Sequence, residues 1–139
     1  MLTSADLVYL DSSALVKLVV HEAESAELDR YLSGQHGRAS CVLAWVEVVR
    51  AVRGQGPSAV ARARGVLADL LLVRLDNDIL DTAAEIDPPA LRSLDAIHLA
   101  AARALGSRLA TVVTYDQRMA QAARALGLTV AAPGVALGF

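Results

Sequence analysis

The sequence has 139 residues, which is long enough for one domain with a hydrophobic core and too short for two comfortable ones. Its formal net charge of −2 does not favour a nucleic-acid partner, no apolar run reaches the roughly eighteen residues of a membrane span, and a single cysteine permits no internal disulfide. The N-terminus has no basic region of the kind that begins a signal peptide. We therefore expect a cytoplasmic protein that forms one domain over residues 1–139 and has no membrane partner.

Apolar runs and amphipathic segments alternate along the chain. In chain order they predict a strand at residues 7–10, helices at 12–20 and 21–33, a strand at 38–42, helices at 43–53 and 58–70, a strand at 71–75, helices at 76–86 and 93–105, a strand at 109–114, a helix at 115–126 and a strand at 128–130. Ser12 or Ser13 is the expected cap of the first helix, and Ser93 that of the helix at 93–105. The order is typical of βαβ units and predicts an α/β fold, with helices on both faces of a mostly parallel sheet.

Two aspartates repeat one arrangement, in which a strand leads into an acid and the acid into a helix. Asp11 follows the first strand, and Asp116 follows the strand that ends in Thr114. Parallel strands deliver such residues to the same edge of the sheet, where ligands of open α/β sheets bind. Taken alone, Asp11 is equally well explained as a helix cap or turn residue.

Two further acids lie within predicted helices. Glu47 is the one acid of an apolar helix, and its alternative explanation is an exposed ion pair with Arg50. Asp95 lies two residues after Ser93, where stabilisation of the helix dipole would also explain it. His98 lies one turn further on the same face, and we expect it to be a packed residue rather than a metal ligand. Four clustered carboxylates would repel one another unless a divalent cation bound them, and Mg²⁺ and Mn²⁺ prefer such oxygen ligands.

At this point the chain resembles the PIN-domain ribonucleases, and within them the VapC-type toxins of toxin–antitoxin pairs. The matching segments are residues 9–17, 45–48, 93–100, 113–119 and 122–128. The resemblance implies a three-layer α/β/α PIN-like fold with a sheet of four to five strands, and a Mg²⁺- or Mn²⁺-dependent endoribonuclease. The acids that match the family's quartet are Asp11, Glu47, Asp95 and Asp116, and the supporting hydroxyl residues are Ser13 and Thr114.

We hypothesise how these four acids would work, and the resemblance implies the ends of the products. Asp11 and Asp95 would bind the main ion, Asp116 would bind through water or complete a second site, and Glu47 would orient or deprotonate the attacking water. The products would carry 5′-phosphate and 3′-hydroxyl ends. In this interpretation Ser12 and Ser13 cap the first helix, and Asp11 is left free for the ion.

The implied partners are an RNA substrate (tRNA, rRNA or mRNA), a cognate VapB-like antitoxin and a second copy of the chain, in a homodimer that forms a heterotetramer or larger assembly with the antitoxin. Helices at residues 14–20 and 26–32 are candidate contact surfaces, although core packing is expected for most of their positions. Setting aside the four acids leaves a slightly basic surface, and four arginines are candidates for the cleft, namely Arg50, Arg53, Arg92 and Arg118.

Three alternatives compete with this interpretation. A haloacid-dehalogenase-type phosphatase needs an acid where Ser13 stands, and a receiver domain needs a late lysine, whereas the only lysine is Lys17. The third is a catalytically inactive PIN-like domain that serves as a protein-interaction or RNA-binding module. Such a module would show no acid-dependent binding of Mg²⁺ or Mn²⁺.

Overall fold

The computed structural model describes residues 5–34 and 37–136, and its centre is a five-stranded sheet. The strands are β1 (Leu7–Leu10), β2 (Gly37–Cys41), β3 (Leu71–Val73), β4 (Leu109–Val113) and β5 (Val130–Ala131). Their order is β3-β2-β1-β4-β5, and every neighbouring pair is parallel. The predicted parallel sheet is confirmed, with β1 in its middle.

In the described residues, seven α-helices accompany the strands, and most begin and end within three residues of their predicted bounds. They are α1 (Ser12–Val19), α2 (Ser25–Ser33), α3 (Leu43–Val52), α4 (Pro57–Ala68), α5 (Asn77–Ala84), α6 (Ser93–Ala104) and α7 (Gln117–Ala125). The prediction was wrong for the start of α2, which begins four residues late. The acids before it, Glu22 and Glu24, instead accept hydrogen bonds from Lys17 at 3.1 and 2.7 Å.

The side chains of β1 alternate between two hydrophobic cores, one on each face of the sheet. Val8 and Leu10 pack with helices α1 to α4, while Tyr9 packs with helices α5 to α7. All four residues of β1 are buried, as expected for a central parallel strand. This is the three-layer arrangement predicted from the sequence. Within the described residues, no helix is long and apolar enough to cross a membrane.

The two candidate contact helices, α1 and α2, supply much of the hydrophobic core that contains Val8 and Leu10. Leu15 on α1, and Leu28 and Leu32 on α2, are at most 1% exposed. These positions serve the core of the chain itself, which was the expected explanation for most of them.

The topology fixes where the candidate acids lie. β1 leads through Asp11 into α1, and β4 leads through Thr114 and Asp116 into α7. β2, on the other side of β1, leads into α3, which carries Glu47. Because these strands are parallel neighbours, their carboxyl ends meet at one edge of the sheet.

Candidate active site

A cavity of about 170 Å³ opens at this edge of the sheet. The residues that line it are Asp11, Ser12, Ser13, Glu47, Arg92, Asp95, His98 and Asp116. The structure thus brings all four sequence-predicted acids to one cavity. Of the four arginines suggested for the cleft, Arg92 is the one that lines it.

Asp11 is the most deeply buried of the acids, at 4% exposure. Its Oδ1 accepts hydrogen bonds from the Ser13 hydroxyl at 2.6 Å and the Ala14 backbone N–H at 3.0 Å, and its Oδ2 accepts one from the Thr114 hydroxyl at 2.6 Å. Burial raises the pKa of Asp11 above its ordinary value, and the two hydroxyl hydrogen bonds offset only part of that rise.

The prediction that Ser12 and Ser13 cap the first helix and leave Asp11 free was wrong. Helix α1 begins at Ser12, so the residue with extended backbone at the N-cap position is Asp11, and its carboxylate accepts the capping hydrogen bond from Ala14. Ser13 donates to Asp11 and accepts from the backbone N–H of Tyr115 at 3.0 Å. Asp11 therefore combines capping with a place in the cavity.

Asp116 has the same local geometry at the start of α7. Its Oδ1 accepts from the backbone N–H of Met119 at 3.0 Å. The Thr114 hydroxyl accepts from the backbone N–H of Asp116 at 3.1 Å while it donates to Asp11. Thr114 thus links the two acids that follow neighbouring strands.

Asp95 enters the cavity from the first turn of α6. The predicted cap of this helix was wrong: the N-cap residue is Arg92, which makes no side-chain capping bond, and Ser93 is the first helical residue. The backbone of Arg92 is extended (ψ 146°), and its guanidinium contacts two of the acids. Nε donates to Asp95 Oδ2 and Nη2 donates to Asp116 Oδ2, each at 3.2 Å.

Glu47 is held from two sides through a single oxygen. Its Oε1 accepts from the Ser12 hydroxyl at 2.6 Å and lies 2.7 Å from His98 Nε2. Burial alone would raise the pKa of Glu47, but the hydrogen bonds from His98 and Ser12 outweigh it and lower the pKa. Glu47 is therefore ionised at neutral pH, and it contacts Ser12 and His98 rather than forming the exposed pair with Arg50 that was the alternative.

His98 is the residue whose place at the site was missed. It is 2% exposed, as expected for a packed residue, yet its ring also reaches the cavity. Its Nδ1 lies 2.7 Å from the Tyr9 hydroxyl and 3.7 Å from Cys41 Sγ. Burial lowers its pKa, but the contacts with Cys41 and Glu47 raise it overall, to about 10. Its spacing of three from Asp95 was the available signal, because residues three apart share a helix face.

The four acids offer the ligand chemistry of a divalent metal site, although the structure does not gather them into a ready-made one. Among residues 5–34 and 37–136, no three His, Cys, Asp or Glu side chains form a group that could hold one. Ser12 and His98 hold Glu47, and Arg92 bridges Asp95 and Asp116, so these three carboxylates already have hydrogen-bond partners. The donor set nevertheless fits Mg²⁺ or Mn²⁺ in chemistry, since four carboxylates around one small cavity supply only oxygen ligands.

Known proteins resemble this chain in sequence over most of its length. Residues 8–125 match the PIN domain family. Ribonuclease VapC46 of Mycobacterium tuberculosis (strain ATCC 25618 / H37Rv) is 52% identical over 126 residues, which cover 91% of this chain and 97% of that protein. Ribonuclease VapC35 of the same strain is 45% identical over 134 residues, with coverages of 94% and 99%. The chain therefore belongs to the PIN-domain family.

Solved structures agree with this assignment at the level of the fold. The crystal structure of M. tuberculosis VapC20, a sarcin–ricin loop cleaving toxin, matches with a TM-score of 0.73 at 16% identity, over 91% of this chain and 99% of that one. A toxin–antitoxin complex from Klebsiella pneumoniae matches with a TM-score of 0.62 at 20% identity, over 80% and 88%. The predicted PIN-like fold is confirmed, and the sequence identities place the chain among the VapC-type members of the family.

Proposed function

We propose that this chain is a divalent-metal-dependent endoribonuclease and the toxin component of a VapBC-type toxin–antitoxin pair. The observation that carries the proposal is the meeting of Asp11, Glu47, Asp95 and Asp116 at one cavity, at the carboxyl edge of the sheet, in a chain of this family. The names of the relatives, which are ribonucleases, support the reaction class.

Asp11, Asp95 and Asp116 would hold the Mg²⁺ or Mn²⁺ ion, with Glu47 beside them. When bound, such an ion lowers the pKa of water and neutralises the charge that develops on the phosphate oxygens. Arg92 would have to give up Asp95 and Asp116 when a cation replaces it, and its side chain is 74% exposed and free to turn outward. A released guanidinium beside the cleft suits bidentate contact with an RNA phosphate.

Glu47 is the acid best placed to act on water. The hydrogen bonds from Ser12 and His98 lower its pKa and keep it a carboxylate. A carboxylate with a low pKa stays ionised and still accepts hydrogen bonds but is a weak base, so Glu47 would act more through orienting the attacking water than through removing its proton.

A catalytically inactive PIN-like module is the second candidate, and the observation in its favour is that Arg92, His98 and Ser12 already hold three of the acids. Calorimetric titration with MnCl₂ separates the two candidates. The enzyme binds Mn²⁺ and loses this binding in Asp11→Asn, whereas the inactive module shows no binding that depends on the acids.

The toxin function is tested by brief expression in bacterial cells, followed by sequencing of RNA 5′-phosphate ends. We expect growth arrest and new ends at defined sites with the wild type, and neither with Asp11→Ala. Asp69→Ala, which removes an exposed acid after α4, is the control and should behave as the wild type. Equal RNA ends in wild type and Asp11→Ala would refute the proposed function.

A further inference from the structure

We propose that His98 is a positioning residue for Glu47, and that Tyr9 fixes the ring of His98 in turn. The inference rests on the proposed function, because it assigns a task to residues behind the proposed active site. The three side chains form one hydrogen-bonded chain from the middle of β1, through α6, to the carboxylate on α3.

The geometry of this chain is set by buried groups. The Tyr9 hydroxyl lies 2.7 Å from His98 Nδ1, and His98 Nε2 lies 2.7 Å from Glu47 Oε1. Tyr9 is fully buried, His98 is 2% exposed, and the rings meet edge to face with centroids 5.9 Å apart. Close packing on every side leaves the imidazole little freedom to turn, so the direction of its Nε2–H bond is fixed by the core.

Core packing alone does not account for this arrangement. A buried imidazole needs partners for its polar nitrogens, but Tyr9 and Cys41 already approach Nδ1 from within the core. The Nε2 atom instead points out of the core to a carboxylate whose side chain is 24% exposed and lies at the cavity. Because the Glu47 side chain is partly exposed, solvent could satisfy it without His98; the bond satisfies the buried Nε2 and at the same time fixes the direction of the Glu47 carboxylate.

The way in which Glu47 is held supports this role. Ser12 and His98 both bind Oε1, and in the described part of the chain these are the hydrogen bonds that its carboxylate makes. Fixing one oxygen from two directions fixes the plane of the carboxylate. The other oxygen, Oε2, is then presented in one defined orientation, which is what orienting a water molecule requires.

The role of His98 does not depend on its protonation state. In a neutral ring the Nε2–H bond donates to Glu47, and the Tyr9 hydroxyl donates to Nδ1. In an imidazolium both ring nitrogens donate, and the Tyr9 oxygen accepts. In both cases Glu47 receives the same hydrogen bond from the same atom.

The test is a kinetic comparison of His98→Leu and His98→Gln, each in the wild-type and the Glu47→Gln background, with a short fluorescent RNA and Mn²⁺. Leucine removes the donor, whereas the glutamine amide can place a nitrogen near the position of Nε2. We expect His98→Leu to lower kcat about 10- to 100-fold, as loss of an outer partner of an active-site ligand does. KM should be unchanged, and His98→Gln should recover most of the loss.

The double mutant distinguishes positioning from general support of the fold. If His98 acts through Glu47, adding His98→Leu to Glu47→Gln should change kcat by less than about 3-fold. An equal loss in both backgrounds, or a glutamine variant no better than leucine, overturns the inference. His21→Leu is the matched control, since His21 is an exposed histidine beyond the far end of α1, and it should cleave as the wild type does.

An NMR measurement that needs no RNA cleavage tests the inference when a variant does not fold or no variant cleaves RNA. In ¹⁵N NMR spectra of the metal-free wild type, the imidazole Nε2–H of His98 should be protected from exchange and should shift in Glu47→Gln. If His98→Leu fails to fold, the inference is decided by this NMR signal and by the activity of His98→Gln. A signal that exchanges with solvent and does not shift in Glu47→Gln overturns the inference. If wild type and His21→Leu both fail to cleave RNA, the failure is that of the proposed function, and the NMR signal still tests the contact.

Discussion

Arg92 holds the two acids that the proposed metal ion would need. Its guanidinium donates to Asp95 and Asp116 at 3.2 Å, and its own side chain is largely exposed. Exposed ion pairs of this kind are weak, because water competes for both partners. The contact therefore places a removable positive charge among the carboxylates, where it reduces their mutual repulsion before an ion binds.

Replacing Arg92 should make the metal site stronger. We predict that Arg92→Gln binds Mn²⁺ several-fold more tightly than the wild type in calorimetric titration, because the ion no longer displaces a guanidinium. Arg103→Gln removes the same charge from the last turn of α6 and is the matched control for long-range effects. Unchanged or weaker binding in Arg92→Gln, relative to Arg103→Gln, would count against competition for the same oxygens.

At the level of elements, helices α1, α5 and α7 each begin with an aspartate N-cap. Asp11 caps α1, Asp76 caps α5 and Asp116 caps α7, each accepting from the backbone N–H three residues on, at 2.9–3.0 Å. Each of these aspartates follows a strand by one to three residues. Asp76, however, follows the edge strand β3 and does not line the cavity. The local pattern of strand, acid and helix therefore signals a cap, and only the position of the strand in the sheet makes the cap a site residue.

This difference can be measured with matched variants. Asp76→Ala and Asp116→Ala should each lower the free energy of unfolding by about 1 kcal/mol, the usual cost of a lost N-cap. Urea denaturation gives the stabilities, and a fluorescent RNA gives the cleavage rates. We expect cleavage to survive in Asp76→Ala and to be lost in Asp116→Ala. Equal cleavage by the two variants would mean that Asp116 is a cap and nothing more.

On the scale of the whole molecule, the distribution of charge limits how RNA can bind. The net charge is −2, and without the four cavity acids the remaining eleven acids and thirteen basic residues nearly balance. Arg92 is the arginine that lines the cavity, and the largely buried His98 reaches it as well. In the proposed function, the cavity itself therefore offers RNA few phosphate contacts, and the shape of the cleft and the proposed ion would supply the rest.

Few phosphate contacts imply a weak dependence of binding on salt. For a fluorescein-labelled single-stranded RNA bound to Asp11→Asn, we predict that log K falls with log salt with a slope of about −1 to −2, as expected for one to three neutralised phosphates. Fluorescence anisotropy between 50 and 200 mM KCl, the range over which that dependence is usually compared, measures the slope. A slope steeper than about −5 would contradict this prediction, because it would require many phosphate contacts from basic residues outside the cavity.

Local patterns predicted the layers of the fold and the two acids that follow strands, whereas Glu47 and Asp95 were joined to them through the family resemblance. The apolar run of β1 and the strand–acid–helix repeat at Asp11 and Asp116 are readable from neighbouring residues. Two contacts of the site could not be read from neighbouring residues. The hydrogen bond between Tyr9 and His98 joins residues 89 positions apart, and the one between Arg92 and Asp116 joins residues 24 positions apart. Such partners depend on how the layers pack, which no single segment specifies.

The central claim is that Asp11 and the acids around it cleave RNA with a divalent metal ion. The most direct measurement incubates one defined RNA with metal-free wild type, with and without MnCl₂, beside Asp11→Asn and the exposed-acid control Asp69→Asn. The account predicts cleavage by wild type and Asp69→Asn only when Mn²⁺ is present, with 5′-phosphate and 3′-hydroxyl ends, and a loss of at least about 100-fold in Asp11→Asn. Cleavage that persists in EDTA, or that Asp11→Asn carries out at the wild-type rate, would contradict it.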